Sequence, residues 1–209
     1  MVKLKWFVLV VALVRLASCF GPNAGLDQPY GFANFHTIAE GMAYRSAQPD
    51  ENLLRAVIGE FGIRTVINLR GENPEEAWWQ VEQRVCDDLS VELINIPMSA
   101  FHLPAPAVLL ALYEVLTSAE HPIWIHCMAG ADRTGAAAAI WCMGVLGQSR
   151  QEASQQLSPT YGHIAVFTPA MDYLVAIFQP DPDWILQEYD PDVSPDEFLA
   201  VLAHAGGGP

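Results

Sequence analysis

HPIWIHCMAGADRTG, His121 to Gly135, decides the fold. Pro122 to His126 has the β-branched and aromatic character of a central strand, and Gly130 breaks the run a few residues later. From Arg133 onward the chain is helix-forming, and its row of alanines lets that helix lie close to a sheet. Strand, glycine-containing turn and helix in direct succession place the turn beyond the carboxyl end of a strand, where α/β sheets bind ligands. Cys127 opens that turn and Arg133 closes it.

The same alternation extends in both directions. Thr37-Ile38 and Met42 to Arg45 flank Glu40-Gly41 and read as a hairpin. Pro49-Asp50 opens a helix to about Phe61, which Gly62 ends. Arg64 to Leu69 is a buried strand. Asn73-Pro74-Glu75-Glu76 offers an N-cap, a proline in the first turn and acidic neighbours for a helix reaching about Leu89. Val91 to Ile96 is a strand, followed by a proline-rich loop and a helix from Ala107 to Ser118. Ser149 to Glu152 and Ser194 to Glu197 are capping boxes, and Thr168-Pro169 marks another helix start. The prediction is an α/β fold, a central mainly parallel sheet flanked by helices. Residues 20–180 form the domain; residues 181–209 read as a peripheral, acidic helical tail ending in GGGP.

Composition narrows the partners. With 24 acidic against 10 basic residues the net charge is −14, and Lys3 and Lys5 are the only lysines. Such a chain repels nucleic acid, and it disfavours polyphosphates unless arginines cluster locally. MVKLK followed by the apolar WFVLVVALV reads as an export signal over residues 1–19, too short to span a bilayer. Leu16-Ala17-Ser18-Cys19 is similar to a bacterial lipobox. Lipid attachment at Cys19 and a plain cleaved signal are the two alternatives, and both imply an exported, periplasmic or cell-envelope protein in a bacterial cell. The cysteines match neither a zinc motif nor a disulfide framework, and Cys86 and Cys142 read as buried in helices.

At the turn, successive backbone N–H groups and a helix N-terminus favour an anion, and the same field favours a thiolate. Gly130 permits the turn, and Gly135 permits close packing of the helix on the sheet. A planar guanidinium at Arg133 holds two phosphate oxygens at once.

Cys127, five intervening residues, Arg133 and Thr134, preceded by His126, resemble the signature of the protein tyrosine phosphatase superfamily. YRSAQP (Tyr44 to Pro49), GIRTVINLRGE (Gly62 to Glu72) and NIPM (Asn95 to Met98) are similar to its atypical dual-specificity branch, and the likeness runs from Asn34 to Phe178. The resemblance implies that Cys127 attacks phosphorus and forms a phosphocysteine. It implies that Arg133 and the N–H groups of Met128, Ala129, Gly130, Ala131, Asp132 and Arg133 hold the phosphoryl oxygens. Thr134 would donate to the Cys127 sulfur, and His126 would tune it or serve as a core histidine. No metal or cofactor is required.

One departure concerns the general acid. Many relatives carry an aspartate on the loop before the cysteine, but Asn95 to Ala107 holds no Asp or Glu. Asp132 gives an order similar to myotubularin-type and Sac-type phosphatases, which makes it the first candidate, against a structural role pairing with the helix N-terminus or an arginine; His102 is the second, against an exposed loop histidine. Arg70 emerges on the same edge as the turn, to touch substrate or to pair with Glu72 to Glu76. Arg45 ties the hairpin to the body, and Trp78-Trp79 packs the helix. The substrate class is a phosphoprotein or a small phosphomonoester. A phosphate-binding module without turnover and a rhodanese-like sulfurtransferase are the alternatives.

Overall fold

The computed structural model describes residues 33–205. The expected export signal over residues 1–19, with Cys19, and the terminal GGGP lie outside them. Five strands form one sheet: β1 (His36–Ala39), β2 (Ala43–Ser46), β3 (Thr65–Asn68), β4 (Glu92–Asn95) and β5 (Ile123–His126). Their spatial order is β1-β2-β5-β3-β4, with β1 antiparallel to β2 and every other pair parallel. The strand leading into Cys127 is therefore the centre of the sheet.

Side-chain alternation along β5 explains how both faces are filled. Trp124 joins Tyr44, Val66 and the helices α1 (Glu51–Phe61) and α2 (Ala77–Leu89) in one core. Ile123 and Ile125 join a larger core with α3 (Pro106–Ser118), α4 (Asp132–Leu146) and α6 (Pro169–Ile177). The helices cover both faces of the mainly parallel sheet, which is the α/β fold expected.

Local signals set most boundaries. Asp50 accepts the Leu53 N–H to start α1, and Gly62 ends it at φ 63°. The Ser149–Glu152 box caps the short α5 (Arg150–Ala153), and Ser194 and Glu197 cap α8 (Pro195–Ala205) reciprocally. Asn73 behaves differently from expectation. Its Nδ2 donates to the carbonyls of Arg70 and Gly71, closing a turn, so α2 starts at Ala77 with Glu76 as its N-cap residue.

The segment from Asp181 is helical and mostly exposed, but its first part packs into the core. In α7 (Pro182–Gln187) Trp184 and Ile185 are buried in the main core, as is Tyr189, whose hydroxyl donates to the Pro104 carbonyl at 2.9 Å. Phe198 of α8 stacks on Tyr173 with centroids 4.3 Å apart. Cys86 and Cys142 are buried, and burial pushes the Cys86 thiol up to about 12.

Candidate active site

The turn between β5 and α4 is held from outside by its carbonyls. Gln48 N–H donates to Met128 O at 3.2 Å, and Asn34 Nδ2 to Ala129 O at 3.0 Å. Arg45 NH2 donates to Gly130 O at 2.8 Å and to Ala131 O at 3.4 Å. In a trans peptide the carbonyl and the next N–H point opposite ways. Anchoring the carbonyls of Met128, Ala129 and Gly130 outward therefore aims the N–H groups of Ala129, Gly130 and Ala131 at the inner side, as an anion site needs. Gly130 is required twice over. Its φ is 71°, and a Cβ there would lie 2.5 Å from Ala47 N. Gly135 serves a different contact from the one expected: a Cβ would meet Gln156 O and Leu157 Cδ2 at 2.7 Å, so it admits the segment after α5 rather than the sheet.

Arg45 is fully buried in β2 beneath the turn. Its NH1 donates to Gln156 O and Oε1 at 2.8 and 2.7 Å, and the guanidinium carbon lies 3.9 Å from the Tyr161 ring centre. Burial lowers its pKa to about 10, while Tyr161 and Cys127 act in the opposite sense, so it stays a cation at neutral pH. The hairpin is tied to the body here, as expected, but the tie is made at the turn itself.

Cys127 lies at the end of β5 and is buried, while the Met128 side chain is exposed. Arg133, in the first turn of α4, uses NH1 on the carbonyls of Leu69 at 3.3 Å and Met98 at 3.2 Å. Among the described residues its NH2 and Nε make no hydrogen bond, which leaves one edge of the fork for a ligand. Thr134 is buried, and among the described residues its hydroxyl has no hydrogen-bond partner. The expected bond from Thr134 to the Cys127 sulfur is thus not formed in this structure.

His126 is fully buried, and its Nε2 lies 2.5 Å from Oε1 of Glu82, a carboxylate from α2 that is itself fully buried. Despite that proximity, neither ring nitrogen makes a hydrogen bond of good geometry among the described residues. Gln48 Nε2 donates to the other Glu82 oxygen at 3.3 Å, joining the pair to the turn.

Asp132 departs from its expected role. Its Oδ1 accepts from His163 Nδ1 and from Thr168 Oγ1, each at 2.7 Å. The His163 hydrogen bond, opposed by burial and aided by Thr168, holds the carboxyl below its ordinary range. His163 also meets Asp172 at 2.9 Å. Burial works against its charged form, but the bonds to the two aspartates prevail and raise it to about 9. Asp132 is therefore an anion paired with an imidazolium, an arrangement that opposes service as a proton donor near neutrality. Thr168 spends its hydroxyl on Asp132 rather than on capping α6.

His102 is exposed on the loop, its Nδ1 3.1 Å from Ser99 Oγ. Arg70 forms no ion pair with Glu72 to Glu76; it donates to Gln48 Oε1 at 2.9 Å and stacks on Trp78 at 3.4 Å. Trp78 thus holds an arginine rather than packing the helix alone, whereas Trp79 donates to Asn95 Oδ1 at 3.1 Å.

Asn34, Gln48, Glu82 and the turn-holding role of Arg45 escaped the sequence reading of the site. Glu82 had a legible signal, since helical spacing puts it on the face of Trp78, Val85 and Cys86. The partners of Asn34, Gln48 and Arg45 are distant in sequence and left no local mark.

A turn of inward N–H groups between the central strand and a helix, with a cysteine at one end and a half-free arginine at the other, defines the tyrosine and dual-specificity class of phosphatases. A family model described as "DSP-PTPase phosphatase fused to NAD+ Kinase" matches residues 32–165, more than half of the chain, and the chain belongs to that family. It is a phosphoric monoester hydrolase by family, which sets aside the sulfurtransferase. The fold is similar to that of TpbA from P. aeruginosa, with 23% identity, a TM-score of 0.58, and coverage of 74% of this chain and 89% of that one. TpbA in complex with pTyr matches with 22% identity, a TM-score of 0.56 and coverage of 84% and 93%. The core catalytic domain of the PP-IP phosphatase SIW14 from S. cerevisiae, in complex with citrate, matches with 22% identity, a TM-score of 0.56 and coverage of 71% and 87%. No curated protein matches the chain.

Proposed function

We propose that Cys127 is the nucleophile of a phosphomonoesterase acting through a phosphocysteine. The Cys127 thiolate attacks phosphorus, the S–P bond forms and the bond to the leaving oxygen breaks. Water then attacks phosphorus, inorganic phosphate departs and the thiolate returns. The N–H groups of the turn and the free edge of Arg133 stabilise the equatorial oxygens in both steps. Thr134, whose buried hydroxyl lacks a partner among the described residues, is the available donor for the departing sulfur. One observation carries the reading: the carbonyls of Met128, Ala129 and Gly130 are all anchored outward, so the N–H groups after them converge where a tetrahedral dianion would sit.

The substrate class we infer is an aryl phosphate, such as a phosphotyrosyl side chain, or a small phosphorylated molecule. The complex of TpbA with pTyr supports the first and the PP-IP phosphatase SIW14 the second. The absence of Asp and Glu from Asn95 to Ala107, with Asp132 held as an anion, favours leaving groups that depart without a proton. The signal read in residues 1–19 supports action outside the cytoplasm, with membrane attachment through Cys19 if that residue carries lipid.

The test is hydrolysis of an aryl phosphate by the wild type and by Cys127→Ser, with acid-quenched protein analysed for phosphate on Cys127. Loss of turnover in the variant and a trapped phosphocysteine are expected. Turnover in Cys127→Ser equal to the wild type overturns the reading.

A further inference from the structure

Arg70 leaves the carboxyl end of β3 one residue after Leu69, whose carbonyl receives Arg133 NH1. Its guanidinium is held on two sides, by the Gln48 side-chain oxygen at 2.9 Å and by the face of Trp78 at 3.4 Å. Gln48 also binds the Met128 carbonyl through its backbone N–H, so the residue that fixes Arg70 is itself fixed to the turn. Arg70 is thereby set against the rim of the phosphate hollow.

An arginine kept only for stability would be expected to take one of the carboxylates nearby. Among the described residues none lies within ion-pair distance of Arg70, although Glu72, Glu75 and Glu76 follow closely in sequence. Arg133 has no carboxylate either. Neither guanidinium is ion-paired, the charges of Glu82, Cys127 and Glu76 reach Arg70 only from beyond ion-pair distance, and the two arginines repel each other. After the effect of burial, it is Arg133 that most holds Arg70 below its usual proton affinity. Such an arrangement is relieved when anions fill the space.

We propose that Arg70 is a second oxyanion contact, so that the preferred substrate carries a carboxylate or another phosphate beside the phosphoryl group bound by the turn. This rests on the reading of the Cys127 turn as the catalytic phosphate site. The planar fork, with one edge on Gln48 and a face on Trp78, presents its remaining N–H groups to that second anion. Recognition here selects among phosphomonoesters without taking part in bond breaking.

The experiment uses the ortho, meta and para carboxyphenyl phosphates, each compared with its carboxamide, which keeps the shape without the charge. In the wild type, kcat/KM is expected to favour the carboxylate about tenfold for at least one isomer, the usual order for a charge-assisted pair. Added salt is expected to shrink that ratio. Arg70→Gln is expected to bring it to about one, and Arg70→Lys to keep part of it. If Arg70→Gln does not fold, Trp78→Leu, which releases the guanidinium without removing it, is expected to lower the ratio severalfold. A wild-type ratio at or below one for every isomer overturns the inference, as does a ratio that survives in Arg70→Gln or Trp78→Leu. Hydrolysis without preference sinks only this inference; hydrolysis of neither compound sinks the Cys127 reading and this one with it.

Discussion

Arg45 lies wholly buried under the phosphate turn and donates from NH2 to the carbonyl of Gly130 at 2.8 Å. That bond turns the next peptide N–H inward, so a β2 residue far away in sequence shapes the hollow beside Cys127. Arg45→Met is expected to lower kcat/KM on an aryl phosphate by about 10²-fold or more, the scale of losing an oxyanion donor. It is also expected to weaken inhibition by vanadate, and to cost roughly 2–5 kcal/mol in chemical denaturation because buried acceptors lose their donor. Unchanged vanadate inhibition in a folded variant would contradict this role.

Glu82 concerns His126 in the same way. With the carboxylate gone, Glu82→Ala leaves a buried imidazole beside Cys127 without its nearest partner. The expected result is a loss of roughly 1–3 kcal/mol in stability, with kcat reduced more than KM. Steady-state kinetics on an aryl phosphate check it, and Glu82→Gln, which keeps shape and hydrogen-bonding capacity, should recover part of the loss.

Leaving-group dependence tests the status of Asp132. Because its carboxyl is held as an anion by His163, alkyl phosphates are expected to react at least about 10²-fold slower than aryl phosphates with good leaving groups. Asp132→Asn is expected to slow both kinds by a similar factor. A selective loss on alkyl phosphates would restore Asp132 as the proton donor.

Stability should depend on pH through His163. Its pKa rises from 6.5 to about 9 on folding, so the stability it contributes is full below pH 6.5 and is lost as pH climbs through about 9. Asp132 has the opposite sign: its contribution is present above its ordinary value of 3.8 and disappears as pH falls through its lowered folded value. Thermal melts from pH 6 to pH 10 are expected to show Tm falling over the alkaline part of that range. His163→Gln should flatten that segment.

The sequence made the fold readable wherever the cause was local. Asp50 and Gly62 bracket α1, the alternation Ile-Trp-Ile marks a strand buried on both faces, and Gly130 marks the turn. The cysteine and arginine at the two ends of the candidate site were legible for the same reason, since turn length and flanking elements are local. What stayed hidden depends on which distant groups meet. Asp132 looked like a free acid because nothing nearby announces His163. Arg70 and Trp78 looked unrelated because their contact requires the loop before α2 to fold back. Asn73 is not the cap because its Nδ2 donates back to two carbonyls, closing a turn, and the helix begins only after Glu76.

The family match ends at residue 165, yet the hydrophobic interior continues to Tyr189, whose hydroxyl grips Pro104 on the segment that carries His102. Anyone trimming this enzyme to its recognisable core would pull Trp184, Ile185 and Tyr189 out of their seats and release the Pro104 segment that leads into α3. The shortest version worth expressing therefore extends past residue 189.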